Sequence, residues 1–122
     1  MNNNNNQPTF KKNKTNAGSL RTPAFFYAIE DNSFEPNAKE ELVEVYSCFA
    51  EIYNPSIKDI EIMNSQGVKS GLTLIIRNTI GQFIPTFDNV VKVDNEFYKD
   101  KVLKIVNIAP SDSFIKLILS SD

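Results

Sequence analysis

Residues 89–119, which read NVVKVDNEFYKDKVLKIVNIAPSDSFIKLIL, decide the fold. Three apolar runs are separated by two turn signals, Asp94-Asn95 and the Ala-Pro-Ser-Asp sequence at 109–112. Asn and Asp tolerate left-handed backbone angles, and Pro cannot donate to a strand ladder. The runs are rich in Val, Ile and Leu, which suit a pleated sheet. The pattern predicts a β-meander, with a short hairpin turn at Asp94-Asn95 and later strands over residues 102–108 and 114–119.

The last two predicted strands are apolar on both faces, although a small barrel in water should alternate apolar and polar residues. The apolar residues of both phases are Leu103, Ile105, Val106, Ile108, Phe114, Ile115, Leu117, Ile118 and Leu119. Their outer face must therefore be covered, either within the fold or by another subunit. Because the chain offers one short helical candidate as a cover, we predict subunit contacts on this face.

Three further strands are predicted, over residues 23–30 (PAFFYAIE), 42–53 (LVEVYSCFAEIY) and 72–78 (LTLIIRN). The second of these also has apolar residues at helical spacing, but its β-branched and aromatic content and its alternation favour a strand. Residues 31–40 are polar and contain turn residues, which predicts a loop. With the meander, these strands predict a mainly β domain, a small antiparallel β-barrel or sandwich.

Residues 54–71, between the second and third strands, predict either a short helix plus a loop or one long loop. Asn54 could cap a helix, and Pro55 fits the first helical position. Ile57, Ile60 and Asn64 would then share one helix face. An insertion of this length in a small β domain is often functional.

The composition excludes several kinds of enzyme. The chain has 122 residues and no His, which rules out the usual zinc site, a His general base and a Ser-His-Asp triad. Glu40, Glu41 and Glu44 indicate a solvated surface, and four glycines form no phosphate loop. Cys48 lies among apolar residues and is predicted to be a buried structural thiol. We predict no enzyme activity, no catalytic or metal site and no cofactor.

The charge balance and the lengths of the apolar runs bear on whether the chain binds polyanions or crosses a membrane. The balance of 13 basic and 15 acidic residues indicates no polyanionic partner by itself. No apolar run approaches the roughly 20 residues that span a bilayer, and the polar first residues predict no signal peptide.

Residues 1–19 predict a low-complexity, basic N-terminal arm on a domain formed by residues 20–122. The arm is rich in Asn and cannot bury enough surface to offset its ordering entropy, so a disordered tail is one interpretation. The other is contact with a neighbouring subunit or partner, through Phe10, Lys11, Lys12, Lys14 and Arg21. These four basic residues precede the first acid, Glu30. Without an aromatic platform the lysines are a weak indication of nucleic-acid binding.

Four pieces of the chain together resemble a known family. They are Leu20-Arg21 before FFYAIE, residues 44–52 (EVYSCFAEI), residues 74–77 (LIIR) and the closing stretch at 89–119. In this order and spacing, they resemble the head–tail joining proteins of long-tailed bacteriophages, also called head-closure, stopper or adaptor proteins. The chain departs from the family at Asn95, where relatives usually have Gly, and in the arm, which the resemblance does not cover.

The resemblance implies a structural protein of the virion neck, assembled in the host cytoplasm. It would form a symmetric ring with copies of itself, below the portal or adaptor protein and above the tail terminator or tail proteins. Packaged double-stranded DNA would pass through the channel without sequence specificity, and no membrane would be involved.

The resemblance also implies that the segment between the second and third strands points into the channel and retains DNA. Its candidate residues are Ile57, Lys58, Asp59, Glu61, Asn64, Gln66 and Lys69. The four charges sum to zero, and a neutral lining would let DNA slide because it binds phosphate weakly.

Two alternatives remain open. One is a tail terminator or minor tail-ring protein, which would share a small β fold and ring assembly. The other is an oligonucleotide-binding barrel, in which exposed aromatics stack on bases. Phe25, Phe26 and Tyr27 would provide that platform, with Arg21 as the nearby cation.

Overall fold

Six antiparallel strands close into a barrel, and one short helix is inserted between the second and third. The computed structural model describes residues 17–30 and 41–122. A 3-10 turn at Ala17–Ser19 is followed by β1 (Thr22–Glu30), β2 (Glu41–Tyr53), α1 (Ile57–Ser65), β3 (Gly71–Arg77), β4 (Val90–Val93), β5 (Leu103–Pro110) and β6 (Phe114–Ser120). The strand order is β1-β2-β3-β6-β5-β4. This confirms the predicted mainly β fold; the arm up to residue 16 and the predicted loop at 31–40 lie outside the described residues.

The closed sheet of the barrel divides into two three-stranded halves, here called the first and second sheets, which are joined by short stretches of pairing. In the first sheet β1 lies between β4 and β2, and in the second β6 lies between β3 and β5. Residues 51–53 of β2 pair with β3, and Val90 and Val91 pair with β5. The β2–β3 junction lies at the end of the barrel where β1 begins, which we call the basal end, whereas the β4–β5 junction lies beside Phe26 and Tyr27 in the middle of β1. At the other end, the β1–β2 hairpin continues to the Glu30–Glu41 pair.

Inward-facing residues of all six strands form one core. Its buried members are Ala24, Phe26, Ala50, Leu72, Leu74, Ile76, Val91, Val93, Leu103, Ile105, Ile115, Leu117 and Leu119. The connection from β3 to β4 joins the second sheet to the first and brings Phe83 against this core. The Phe83 ring stacks on Tyr46 at a centroid distance of 4.3 Å and packs against Phe26 at 5.0 Å. Phe83 thus closes the core where the two sheets diverge.

The predicted meander is confirmed, but the predicted hairpin turn at Asp94-Asn95 is wrong. β4 and β5 share two paired positions, and residues 94–102 connect them. Asn95 begins a turn: its carbonyl accepts from the N–H groups of Tyr98 and Lys99, and its side chain accepts from Phe97. Pairing between β4 and β5 stops at Val91 and Leu103, so a long connection takes the place of a tight turn. The second predicted turn is confirmed at residues 111–113, where Ser111 bonds to Phe114.

The outer face of the second sheet is covered within the chain, so the prediction of subunit contacts there is wrong for its central residues. The register of β5 shifts between Ile105 and Asn107. Ile105 lies in the barrel core, whereas Val106 packs with Ile118 and with Met63 of α1 in a second cluster. Ile118 is only 1% exposed. The helix therefore buries outward-facing apolar residues of β5 and β6, which explains why both faces of these strands are apolar in sequence.

Candidate assembly surfaces

The helix begins two residues later than predicted, and a different face of it is buried. Ser56, rather than Asn54, is the N-cap: its hydroxyl accepts from the Asp59 N–H at 3.1 Å, and the Asp59 carboxylate accepts from the Ser56 N–H. Asp59 and Met63 face the barrel, whereas Ile57 and Ile60 are exposed. The face on which Ile57, Ile60 and Asn64 were predicted to lie is thus the exposed face of the helix. Ser56 and Asp59 at a spacing of three match a capping-box pattern, which could have located the helix start from sequence.

Asp59 attaches the helix to two strands of the second sheet, β3 and β6. Lys116 of β6 donates to Asp59 Oδ1 at 2.8 Å, and the Thr73 hydroxyl of β3 donates to Oδ2 at 2.8 Å. The carboxylate is 2% exposed. Burial, the largest single effect, raises the pKa of Asp59. The hydrogen bonds from Lys116, Thr73 and Ser56, with the Lys116 charge, outweigh it and hold the pKa below its usual value.

The exit of the helix is also fixed. The Gln66 side chain donates to the Val106 carbonyl at 3.3 Å, and the Lys69 N–H donates to the Asp122 carboxylate at 2.8 Å. Gly71 then begins β3 so close to β6 that a Cβ would collide with the Leu119 carbonyl oxygen. The segment between β2 and β3 is thus a helix held at both ends.

Six of the seven residues predicted to line a channel are exposed on this insertion. They are Ile57, Lys58, Glu61, Asn64, Gln66 and Lys69. The seventh, Asp59, is buried and paired with Lys116, so it cannot line a surface. Without Asp59 the exposed charges of this group are two lysines and one glutamate, a small positive excess in place of the predicted neutrality.

The β1–β2 hairpin presents the second surface. The Tyr27–Val90 pair is the last one between β1 and β4. Among the described residues, the part of β1 after Tyr27 pairs only with β2, and residues 41–50 of β2 pair only with β1. Several apolar side chains of the hairpin are exposed: Ile29, Leu42, Val43, Val45 and Phe49. Phe49 is 60% exposed and Val45 47%. These exposed apolar side chains lie beside the acidic residues Glu41 and Glu44.

The predicted base-stacking platform is not formed as expected. Phe26 is fully buried and cannot meet a ligand. Phe25 and Tyr27 lie on the opposite side of β1 and are partly exposed, with the Lys92 ammonium 5.4 Å from the Tyr27 ring centroid. Arg21 is exposed, and its guanidinium donates to the Gly18 carbonyl at 2.8 Å. Phe10, Lys11, Lys12 and Lys14 lie outside the described residues.

Two further predictions concern reactive groups. Cys48 faces the core and is partly buried, and burial raises its pKa to about 11, so it is a thiol at neutral pH. Glu41 and Glu44 are exposed on β2, and Glu40 lies outside the described residues. In residues 17–30 and 41–122, no group of three His, Cys, Asp or Glu residues converges to hold a metal ion. No helix of that same part is long and apolar enough to cross a membrane.

Comparison with known proteins gives a fold and no family. No protein-family model and no curated protein matches the chain. The class that the structure defines is a small, closed antiparallel barrel with one inserted helix. Among solved structures, this barrel is similar to the solution structure of protein SF1141 from Shigella flexneri 2a, with a TM-score of 0.62 and 16% identity. The similarity covers 88% of this chain and 96% of that chain, and at this identity it concerns the fold alone.

Proposed function

We propose that this chain is a structural protein of a bacteriophage neck that assembles into a ring and joins the DNA-filled head to the tail. One observation carries the proposal: an ordered helical insertion lies between the second and third strands of a small barrel, where the resemblance places the DNA-retaining segment. The short sequence pieces that carry the resemblance occupy β1, β2, β3 and the β4–β6 meander.

The chemistry of the helix fits a surface that blocks DNA without binding it tightly. Its exposed side includes Lys58, Glu61 and Asn64, so few phosphates could be neutralised by each subunit. The Asp59–Lys116 pair and the Gln66 bond hold the insertion against the second sheet. DNA pressing on such a helix would meet a supported element. In a ring, each subunit would contribute one such helix, so the weak contacts with DNA would be repeated around the channel.

The test compares phage particles made with the wild-type chain and with altered helix surfaces. A variant carrying Lys58→Ala, Glu61→Ala, Asn64→Ala and Lys69→Ala removes the exposed polar groups and keeps Asp59 and Met63 in place. We expect particles that assemble necks but lose packaged DNA, measured as nuclease-sensitive DNA and as empty heads in electron micrographs. Deleting all of residues 56–70 is less informative, because it would uncover Val106 and Ile118.

The matched control alters exposed residues of the β4–β5 connection, Glu96→Ala with Lys99→Ala, and should retain DNA normally. Normal retention in the helix variant would contradict the helix's role. Particles made without the protein should have filled heads that lose DNA and lack tails. Immunogold labelling at the end of the tail, rather than at the neck, would favour a tail terminator instead.

A further inference from the structure

One edge of the barrel is left open along β2. Residues 42–50 pair with β1 on one side, and β3 joins the other side from Glu51 onward, so the described residues leave about 30 Å of strand edge without a partner. The unpaired backbone N–H and C=O groups of an open edge can accept an extended segment as an additional strand, and closed barrels normally leave no such edge. We call residues 42–50 the β2 edge.

The charge around the β2 edge selects its occupant. Among the described residues at that end of the β1–β2 hairpin, Glu30, Glu41 and Glu44 are acidic and exposed, and none is basic. If two copies paired antiparallel through residues 42–50, Glu41 of each would lie opposite Glu51 of the other, and like charges across a strand pair are destabilising. The edge therefore suits a basic, extended segment that carries an apolar side chain to meet Val45 and Phe49.

The N-terminal arm of this chain has that composition. Residues 9–16 read TFKKNKTN, with three lysines, one phenylalanine and no acid. The segment is about as long as the β2 edge. In an extended conformation Phe10, Lys12 and Lys14 would share one face, and Lys11 would lie on the other. One apolar anchor with lysines on both faces complements an acidic edge with exposed apolar side chains.

The geometry of β1 favours the arm of another copy. The Arg21 N–H bonds to the Ala50 carbonyl, and Thr22 pairs with Ala50, so the chain reaches β1 from the basal side. The β2 edge runs from Ala50 the other way, toward Glu41. To reach its own edge, the arm would have to reverse direction and cross the junction of β2 with β3.

We propose that residues 9–16 of one copy add as a strand to the β2 edge of a second copy. The inference rests on the self-assembly in the proposed function, and it is independent of the role in the neck. Each copy offers one arm and accepts one, so the contact is head-to-tail and can close into a ring.

Cysteine cross-linking in the full chain tests this contact. Lys12→Cys on the arm, on the same face as Phe10, and Ser47→Cys on the β2 edge, on the same face as Phe49, are introduced into copies with tags of different mass, which are mixed and mildly oxidised. We expect at least tenfold more mixed disulfide dimer than when Ser47→Cys is replaced by Asp112→Cys, an exposed position on the β5–β6 turn. Yields equal to that control would overturn the proposal. So would dimers of Ser47→Cys alone, which indicate edge-to-edge pairing. In a variant that carries both cysteines in one copy, internal disulfides alone would also overturn it.

Charge exchange provides a second readout, by sedimentation velocity. Glu41→Lys with Glu44→Lys, and separately Lys11→Glu with Lys12→Glu, should each weaken association at least tenfold. An equal mixture of the two variants should restore it, because each altered arm then finds an altered edge. The control, Glu96→Lys with Asp100→Lys on the β4–β5 connection, should have no effect. Failure of the mixture to restore association would overturn the inference, whereas particle defects address the neck proposal separately.

Discussion

The two sheets of the barrel have similar apolar residues on their outer faces but different covers. On the second sheet, Val106 and Ile118 lie under Met63 of α1. On the first, Val45 and Phe49 remain exposed. Burial of such side chains is favourable by about 2 kcal/mol each, so both faces have the same tendency to be covered. The chain covers one with its own helix, and the described residues leave the other exposed, which is why we propose assembly through the first sheet.

The largest expected effect compares one residue from each face. Ile118→Ala should lower the free energy of unfolding by about 3 kcal/mol, because it leaves a cavity between β6 and the helix. Phe49→Ala should change it by less than about 0.5 kcal/mol, since the ring is 60% exposed. Urea unfolding of dilute protein measures both. Equal losses would mean that Phe49 is also covered within one chain.

The second prediction concerns what holds the cover in place. Asp59→Asn removes the charge that Lys116 contacts and should destabilise the fold by about 2 kcal/mol. The value is below that of a fully buried ion pair because the Lys116 side chain is 40% exposed. Glu61→Gln, an exposed change on the same helix, should have almost no effect. If both variants unfold at the wild-type urea concentration, the ion pair does not hold the helix.

The same carboxylate predicts how stability depends on pH. Since the pKa of Asp59 is lowered in the folded chain, its contribution is present above the ordinary carboxyl pKa. That contribution is lost as pH falls through the lower folded-state pKa. Urea midpoints between pH 5 and pH 2 should therefore fall more steeply for the wild type than for Asp59→Asn. Parallel curves would show that Asp59 titrates alike in the folded and unfolded chain.

The contrast between the two faces also marks the limit of prediction from sequence. The strands could be predicted because Val, Ile and aromatic residues in alternating runs suit a sheet. The covering of the second sheet could not be predicted, because it depends on packing of Val106 and Ile118 against Met63, which lies far away in sequence. Nor does local sequence show that Phe83, from a connection without regular structure, stacks on Tyr46.

The candidate site was predictable in position but not in orientation. Its location between the second and third strands followed from the order of the apolar runs. The buried face of the helix could not be predicted, because composition alone favours burial of the face that carries Ile57 and Ile60. Asp59 is buried instead because Lys116 and Thr73, distant in sequence, satisfy its carboxylate. A tertiary ion pair of this kind overrides local amphipathicity, and no spacing rule detects it.

The smallest expected effect compares the two sides of β2 at neighbouring residues. Cys48 faces the core with a pKa of about 11, whereas the Ser47 side is exposed. In a Ser47→Cys variant at pH 8, iodoacetamide should alkylate the new thiol roughly 100-fold faster than Cys48. The pKa values of the two thiols differ by about two units, so their thiolate fractions differ roughly 100-fold. Peptide mass spectrometry follows both sites in one molecule. Comparable rates would show that the inner side of β2 is open to solvent. If β2 is the assembly edge, raising the protein concentration should slow alkylation of Ser47→Cys alone.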